Sequence, residues 1–331
     1  MNRSLLLTTL STLLLMLPGE EALTWRLGKG ATLVRHFEST VKAELQSVTI
    51  KVDGEQQEGG PEVEMTIGSE FAYEFSDEIE DAEDGGPTKI VRTFVDIGGN
   101  RSRSVKVPER DVREDTSELE TELEGKRVVL ERKGSSWTAK WAEDDEKTDA
   151  KLLEGLDGDV DLRAFLPDKS VSEGDTWSVE PSAFKNLQRP SGRLSRHGKG
   201  EDPAEQNRFE AMLDDSIDGK ITAKFSGVRE EGGVRVAVIA INAELRVHGT
   251  QEIDGGEAGQ IKNEIALSYT LEGEILWETS AGFAQSASLG GSVDRTQTEH
   301  RTIETPDGAH ELEQTFTFSG DVIYKARNER K

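Results

Sequence analysis

Apolar and polar residues alternate along most of this chain, which is the two-residue period of strands with one buried face. Ala31 to Val52 predicts a first long strand. Val41, Ala43 and Leu45 share one parity and Val48, Ile50 and Val52 the other, so the pattern demands a bulge or sharp bend near Gln46-Ser47. Asp53 to Pro61 reads as a turn. Glu62 to about Phe75 reads as the returning strand, with Val63, Met65, Ile67, Phe71, Tyr73 and Phe75 on one face. Ser76 to Pro87 is crowded with Asp and Glu and reads as an acidic loop. Lys89–Ile97 and Arg101–Val107 read as two short strands joined by a Gly98-Gly99-Asn100 hairpin turn. Ser117 to Trp141 predicts a three-strand meander. A helix over Asp115–Glu124 is the alternative there, because Leu119 and Leu123 lie four apart.

The period changes in the middle of the chain. Leu152, Leu153 and Leu156 at helical spacing predict an amphipathic helix, and Leu162, Ala164 and Phe165 a short second one. The stretch Leu166-Pro167-Asp168-Lys169-Ser170-Val171-Ser172-Glu173-Gly174-Asp175-Thr176-Trp177 follows, and the rest of the chain is organised around it. Pro167 bars helix continuation. Glu173-Gly174-Asp175 predicts a tight turn in which Gly174 takes positive φ. Trp177 opens a new strand as a large buried anchor. Pro181–Leu187 predicts a helical turn. Gln188 to Asp202, with Arg189, Arg193, Arg196, His197 and Lys199, reads as an exposed loop. Pro203–Ser216 reads as an amphipathic helix with Phe209, Met212 and Leu213 inward.

Alternation then returns. Ile221, Ala223 and Phe225 lead through a turn at Glu230–Gly233 into Val234–Val247, whose two faces are both apolar at its start, the mark of a doubly covered strand. Ile265, Leu267, Tyr269, Leu271, Ile275 and Trp277 keep one parity. Phe283–Leu289, Arg295–Glu304 and Glu311–Lys325 complete the sheet, with Phe316, Phe318 and Val322 as further core. The fold predicted is mainly β: long, curved antiparallel strands in two consecutive halves, as an open barrel or bent sheets, with a few short helices. The halves are residues 23–168, ending in the helical segment, and 169–331.

Residues 1–22 read as a secretory signal peptide. Arg3 supplies the positive start, the leucine-rich run to Leu17 an apolar core too short to span a bilayer, and Pro18-Gly19 the break, with cleavage after Gly19 or Ala22. No other segment is long and apolar enough to be a transmembrane helix. The mature chain is therefore expected to be periplasmic or extracellular. Its 65 acidic and 40 basic residues give a net charge of -25, which argues against nucleic acid and anionic membranes as partners. The acidity fits solubility, cation buffering or a basic partner. With no cysteine, there are no disulfides, thiolate metal sites or Cys nucleophile.

Candidate chemistry is sparse. Asp157, Asp159 and Asp161 have the 1, 3, 5 spacing of a calcium loop, but Leu162 holds the position that needs Gly and Asp168 the position that needs Glu. They read as a turn between helices. The Asp77–Asp84 run offers at most weak calcium binding. The histidines His36, His197, His248, His300 and His310 show no compact zinc spacing, although His300 and His310 flank a turn and are candidates to face one another. No G-x-S-x-G elbow or phosphate-binding glycine loop is present. Arg101, Arg103, Lys106, Arg110 and Arg113 form a basic patch, read either as a solvated edge strand or as a site for an anion or acidic partner. No catalytic residue, metal ligand or cofactor is assigned.

Three features together, Trp25–Gly30 behind the signal peptide, the central Leu166-Pro167-x-Lys169-x-Val171-x-x-Gly174-Asp175-x-Trp177 element and the Gly273–Glu278 strand after a long hairpin, resemble a family of uncharacterised exported bacterial β-rich proteins. The resemblance covers most of the mature chain. It implies two strand-rich halves flanking the central motif, of which Leu166, Pro167, Gly174, Asp175 and Trp177 are structural residues, and it brings no activity. The leading expectation is a non-enzymatic exported protein that binds a small molecule, lipid or envelope protein in a concave sheet. A hydrolase of cell-envelope polymers and a charged-surface scaffold are the alternatives.

Overall fold

The computed structural model describes residues 20–331 apart from 59–61, 84, 135, 143–148, 160, 202–209, 212–215, 255–259 and 306–307. The apolar leader and most of the expected Pro203–Ser216 helix lie outside the described residues. The strands are β1 (Thr32–Val52), β2 (Glu55–Gln56), β3 (Glu64–Glu83), β4 (Gly86–Lys106), β5 (Arg113–Glu120), β6 (Arg127–Lys133), β7 (Ser136–Trp141), β8 (Thr176–Val179), β9 (His197–Gly198), β10 (Asp218–Glu231), β11 (Val234–Asp254), β12 (Gln260–Glu278), β13 (Phe283–Thr305) and β14 (Gly308–Arg330). The main path runs β7-β6-β4-β3-β1-β14-β13-β12-β11-β10-β8, all antiparallel and not closed. The ends of the chain meet at its centre, where β1 pairs with β14 from Leu33↔Arg330 to Val52↔Leu312. Each half meanders outward from that seam, so the two expected halves form one continuous sheet.

The expected bulge is present: the β1–β14 register shifts between Leu45 and Ser47, which returns Val48, Ile50 and Val52 to the face that Val41, Ala43 and Leu45 occupy. That inner face carries the core, from Leu33, Phe37, Phe75 and Phe94 on one side to Ile239, Ile241, Leu271 and Trp277 on the other. At the start of β11, Val236 and Ile239 are both fully buried although they point to opposite faces, as the doubly apolar pattern required. A Cβ on Gly320 would lie 2.0 Å from the carbonyl oxygen of Lys42, so only glycine allows the two backbones to approach this closely.

Several expectations are corrected. The acidic loop Ser76–Pro87 is mostly strand, because β3 continues to Glu83 with Asp77 and Ile79 inward and Glu78 outward. Alternation persists through the acidic run, and the inward carboxylate is neutralised by arginines on neighbouring strands. The Gly98-Gly99-Asn100 turn does not form, and β4 is continuous. Gly99 instead lies flat under the Phe71 ring, where a Cβ would approach to 2.5 Å. Strand wins over helix at Arg113–Glu120, but there is no meander: β5 and β6 both pair with β4. The two expected helices are short 3-10 turns: Leu152 and Leu153 lie in Ala150–Leu153, Ala164 and Phe165 in Arg163–Phe165, while Leu156 forms an isolated bridge with Gly192 and Leu162 precedes the second turn. Gln188–Asp202 is not an exposed loop, since Ser191, Leu194, Ser195 and Arg196 are buried.

Candidate ligand site in the concave face

The chain on either side of the edge strand β8, between Asp149 and Glu201, crosses the inner face of the sheet and joins its core through Leu156, Leu162, Phe165, Phe184, Leu187 and Leu194. Its tryptophan and glycine contacts seat it closely: Gly158 lies against the Trp137 ring, and Trp177 Nε1 donates to the Phe165 carbonyl at 2.9 Å. A buried ion cluster ties it to the sheet. Asp77 of β3 accepts from Arg35 Nε of β1 at 2.8 Å, and from Arg92 Nε and Nη2 of β4 at 2.7 and 2.8 Å. Arg92 Nη1 then reaches out to the Asp157 carbonyl at 2.8 Å and Ser191 Oγ at 2.6 Å. Burial alone would raise the Asp77 carboxyl, but the charges and hydrogen bonds of Arg92 and Arg35 outweigh it and hold the group below its usual range. Asp77 thus remains a carboxylate, and Arg92 fastens both ends of the crossing segment.

The calcium-like triplet serves the same segment. Asp157 caps the Asp159 amide at 2.7 Å, and Asp159 and Asp161 grip Arg163 at 2.7 Å. Among the described residues, no group of three or more His, Asp or Glu is placed to hold a metal. His300 and His310 do not face each other: His300 registers with Glu313, and His310 binds Asp53 at 2.7 Å. In the central motif, Gly174 takes φ +96° and its amide donates to the Phe225 carbonyl at 2.8 Å, while Asp175 caps the Ser172 amide at 2.8 Å. Leu166, Pro167 and Trp177 are half-buried, and Trp177 lies on the short edge strand β8. These residues turn the chain onto β10 and lie apart from the open end of the hollow.

Beyond the crossing segment the hollow stays open, with a cavity of about 370 Å³. Its floor is aromatic and polar. Gln188 Nε2 donates to the Tyr269 hydroxyl at 3.1 Å, and Tyr269 is hydrogen-bonded to Tyr324. Arg196 stacks 4.3 Å over the Phe71 ring, pairs with Glu210 at 3.1 Å and binds the Tyr73 hydroxyl. Burial pushes the Tyr73 phenol up to about 12, so it stays neutral at any ordinary pH. The walls bring Arg101 and Arg103 of β4 opposite Arg295 of β13. Three strands separate β4 from β13, so in a flat sheet these residues would stand about 19 Å apart. Curvature is what makes them one site.

Arg295 Nε is buried without a hydrogen-bond partner among the described residues, and Nη2 donates only to Gln297 at 2.7 Å. Burial lowers its pKa, the Tyr269 hydroxyl offsets part of that, and the positive charge of Arg101 lowers it further. Met65, Ile67, Phe316 and Phe318 line the space around it, with Gln297 and Glu299 beside them. The basic patch read from the sequence therefore divides. Arg101 and Arg103 turn into the hollow, whereas Lys106 pairs with Glu64 at 2.8 Å and Arg113 with Asp115 at 3.0 Å outside it. Nor is β4 an edge strand, since β5 covers Asn100–Val105. Arg295 was read only as the start of a strand and Asp77 only as part of the acidic run, although each shares its parity with buried neighbours, Val293 for one and Phe75 and Ile79 for the other.

No family model matches the chain, and no curated protein matches it. Among solved structures it is similar to an outer membrane channel from Pseudomonas putida F1, at 10% identity and TM-score 0.18 over 92% of this chain and 97% of that one. It is also similar to the type II secretin of enteropathogenic Escherichia coli, at 8% identity and TM-score 0.16 over 92% of this chain and 70% of that one. TM-scores this low establish neither fold nor role.

Proposed function

We propose that the chain is an exported, non-enzymatic binding protein that holds a ligand in the concave face of its sheet. The observation that carries this reading is the open hollow above the crossing segment, where Arg295, with its Nε unbonded and no ion pair among the described residues, faces Arg101 and Arg103 beside a mainly apolar wall. A cavity of about 370 Å³ is in the range of small-ligand sites, and an apolar wall with a few convergent polar groups is their usual make-up. Hydrolysis needs a pair of carboxylates or a histidine in the cleft. The two carboxylates of the hollow are engaged apart from each other, Glu210 with Arg196 and Glu299 with Gln297 at 3.2 Å, and no described histidine lines it. The outer face supports a setting in water: Glu38, Lys42 and Glu44 on β1 and Glu244 and Arg246 on β11 are exposed where a lipid-facing band would be apolar. No described helix is long and apolar enough to cross a membrane.

Export rests on the leader sequence. Cleavage after Gly19 in place of Ala22 keeps Glu21, whose backbone pairs with Val171 in both directions and whose carboxylate binds Arg235. Native mass spectrometry of the protein purified from its own host, followed by organic extraction, tests both points. The expected result is a chain beginning at Glu20 with one co-purifying molecule. A full-length intracellular chain removes the export reading, and an empty protein that takes up no small molecule or lipid removes the binding reading.

A further inference from the structure

The charge distribution specifies the ligand further, on the premise that the hollow is a binding site. We infer that it takes a single-tailed amphipathic anion, with its carboxylate or phosphate on Arg101, Arg103 and Arg295 and its acyl chain along Ile67, Phe316 and Phe318. The protein as a whole repels anions, with a net charge of -25. Its outer face shows this locally: the hollow between β1, β3, β4 and β5 is lined by Glu38, Glu70, Asp96, Glu118, Glu120 and Glu124. The concave face inverts that sign. The arginines of the hollow outnumber its two carboxylates: Glu210 pairs with Arg196 and Glu299 accepts from Gln297 at 3.2 Å, while Arg103 and Arg295 form no ion pair among the described residues and Arg101 has Glu201 at 3.6 Å, both side chains partly exposed.

Guanidinium groups kept together in a partly buried site repel one another, and an anion relieves that repulsion while supplying the acceptors they lack. The neighbouring wall fixes the rest of the ligand. Met65, Ile67, Phe316 and Phe318 line the continuation of the hollow beside Arg103 and Arg295, with a volume of about 180 Å³. An inorganic anion would leave that apolar surface wet. A neutral hydrocarbon would leave the arginines unpaired. A molecule with one charged end and one chain satisfies both. The head chemistry has two sources, a fatty-acid carboxylate and a lysophospholipid-type phosphate, which share the same contacts.

The test is isothermal titration calorimetry of the delipidated, folded chain with four probes below their aggregation limits: dodecanoate, dodecyl phosphate, dodecyltrimethylammonium and inorganic phosphate. Dodecanoate or dodecyl phosphate is expected to bind at one per chain, and the stronger of the two identifies the head group. Arg295→Gln is expected to weaken that binding about 10- to 100-fold, the usual effect of losing a charged hydrogen bond. Arg103→Gln, at an exposed position that does not threaten folding, is expected to weaken it in the same direction. Lys106→Gln, outside the hollow, leaves it unchanged. Equal binding of the cationic probe, phosphate binding as tight as dodecyl phosphate, or indifference to both arginine variants overturns the inference. If a neutral molecule co-purifies and the anionic probes fail, the ligand class falls while the binding reading stands.

Discussion

Replacing Asp77 with Asn isolates what the buried ion cluster contributes. Asp77 is fully buried, and Arg35 and Arg92 are nearly so, at 2% and 0% exposure. The carboxylate accepts three hydrogen bonds of 2.7 to 2.8 Å from the two guanidinium groups. Asn keeps the shape but supplies one acceptor and no charge, leaving two cations facing each other in the core. Breaking a buried pair from one side costs about 3–5 kcal/mol, a large share of the ~5–15 kcal/mol by which folded domains are stable. The assay is urea unfolding followed by tryptophan fluorescence, beside the control Glu64→Gln. That control removes the exposed Lys106–Glu64 bridge and should cost less than about 1 kcal/mol. The effect has a defined pH dependence. A carboxylate depressed in the folded state contributes stability that is fully present above its unfolded pKa of about 3.9 and is lost as the pH falls through the folded value. The gap between wild type and Asp77→Asn should therefore be full at neutral pH and narrow in acid below that unfolded value. A loss below about 1 kcal/mol at neutral pH, comparable to the surface control, would refute the reasoning.

Two further outcomes follow from the same geometry. Arg92→Met removes the donors to the Asp157 carbonyl and Ser191 Oγ, so trypsin should cut within the crossing segment, after Arg189 or Arg193, about tenfold faster than in the wild type; an unchanged cleavage pattern would show that Arg92 does not hold that segment. Gly320→Ala forces the β1–β14 seam apart, because the added methyl meets Lys42 O at 2.0 Å and Ala43 Cα at 2.4 Å. It should cost about 1–3 kcal/mol in thermal unfolding, and an unaltered melting temperature would contradict the close approach.

Most strands, and the face each of them buries, were legible from local alternation. Period-two alternation is local, so Ile265 to Trp277 or Val41 to Leu45 declare their buried side without any partner. The parity switch at Gln46-Ser47 is local too, and it became a bulge because the core face must stay continuous across it. Glycine signals misled where packing supplied the reason for them: Gly98-Gly99 reads as a turn until the Phe71 ring occupies the space above Gly99. The charged interior lay beyond the sequence for a different reason. Asp77 looks like one more acid in an acidic run, and Arg196 like one more base in a polar loop, because burial of a charge depends on partners from distant strands. Arg35, Asp77 and Arg92 come from three strands, and Arg101 and Arg295 from strands that only curvature brings face to face. Local patterning encodes which side of a strand meets the core; the pairing of β1 with β14 and the bend of the sheet decide which charges share that core, and through them where the hollow and its arginines lie.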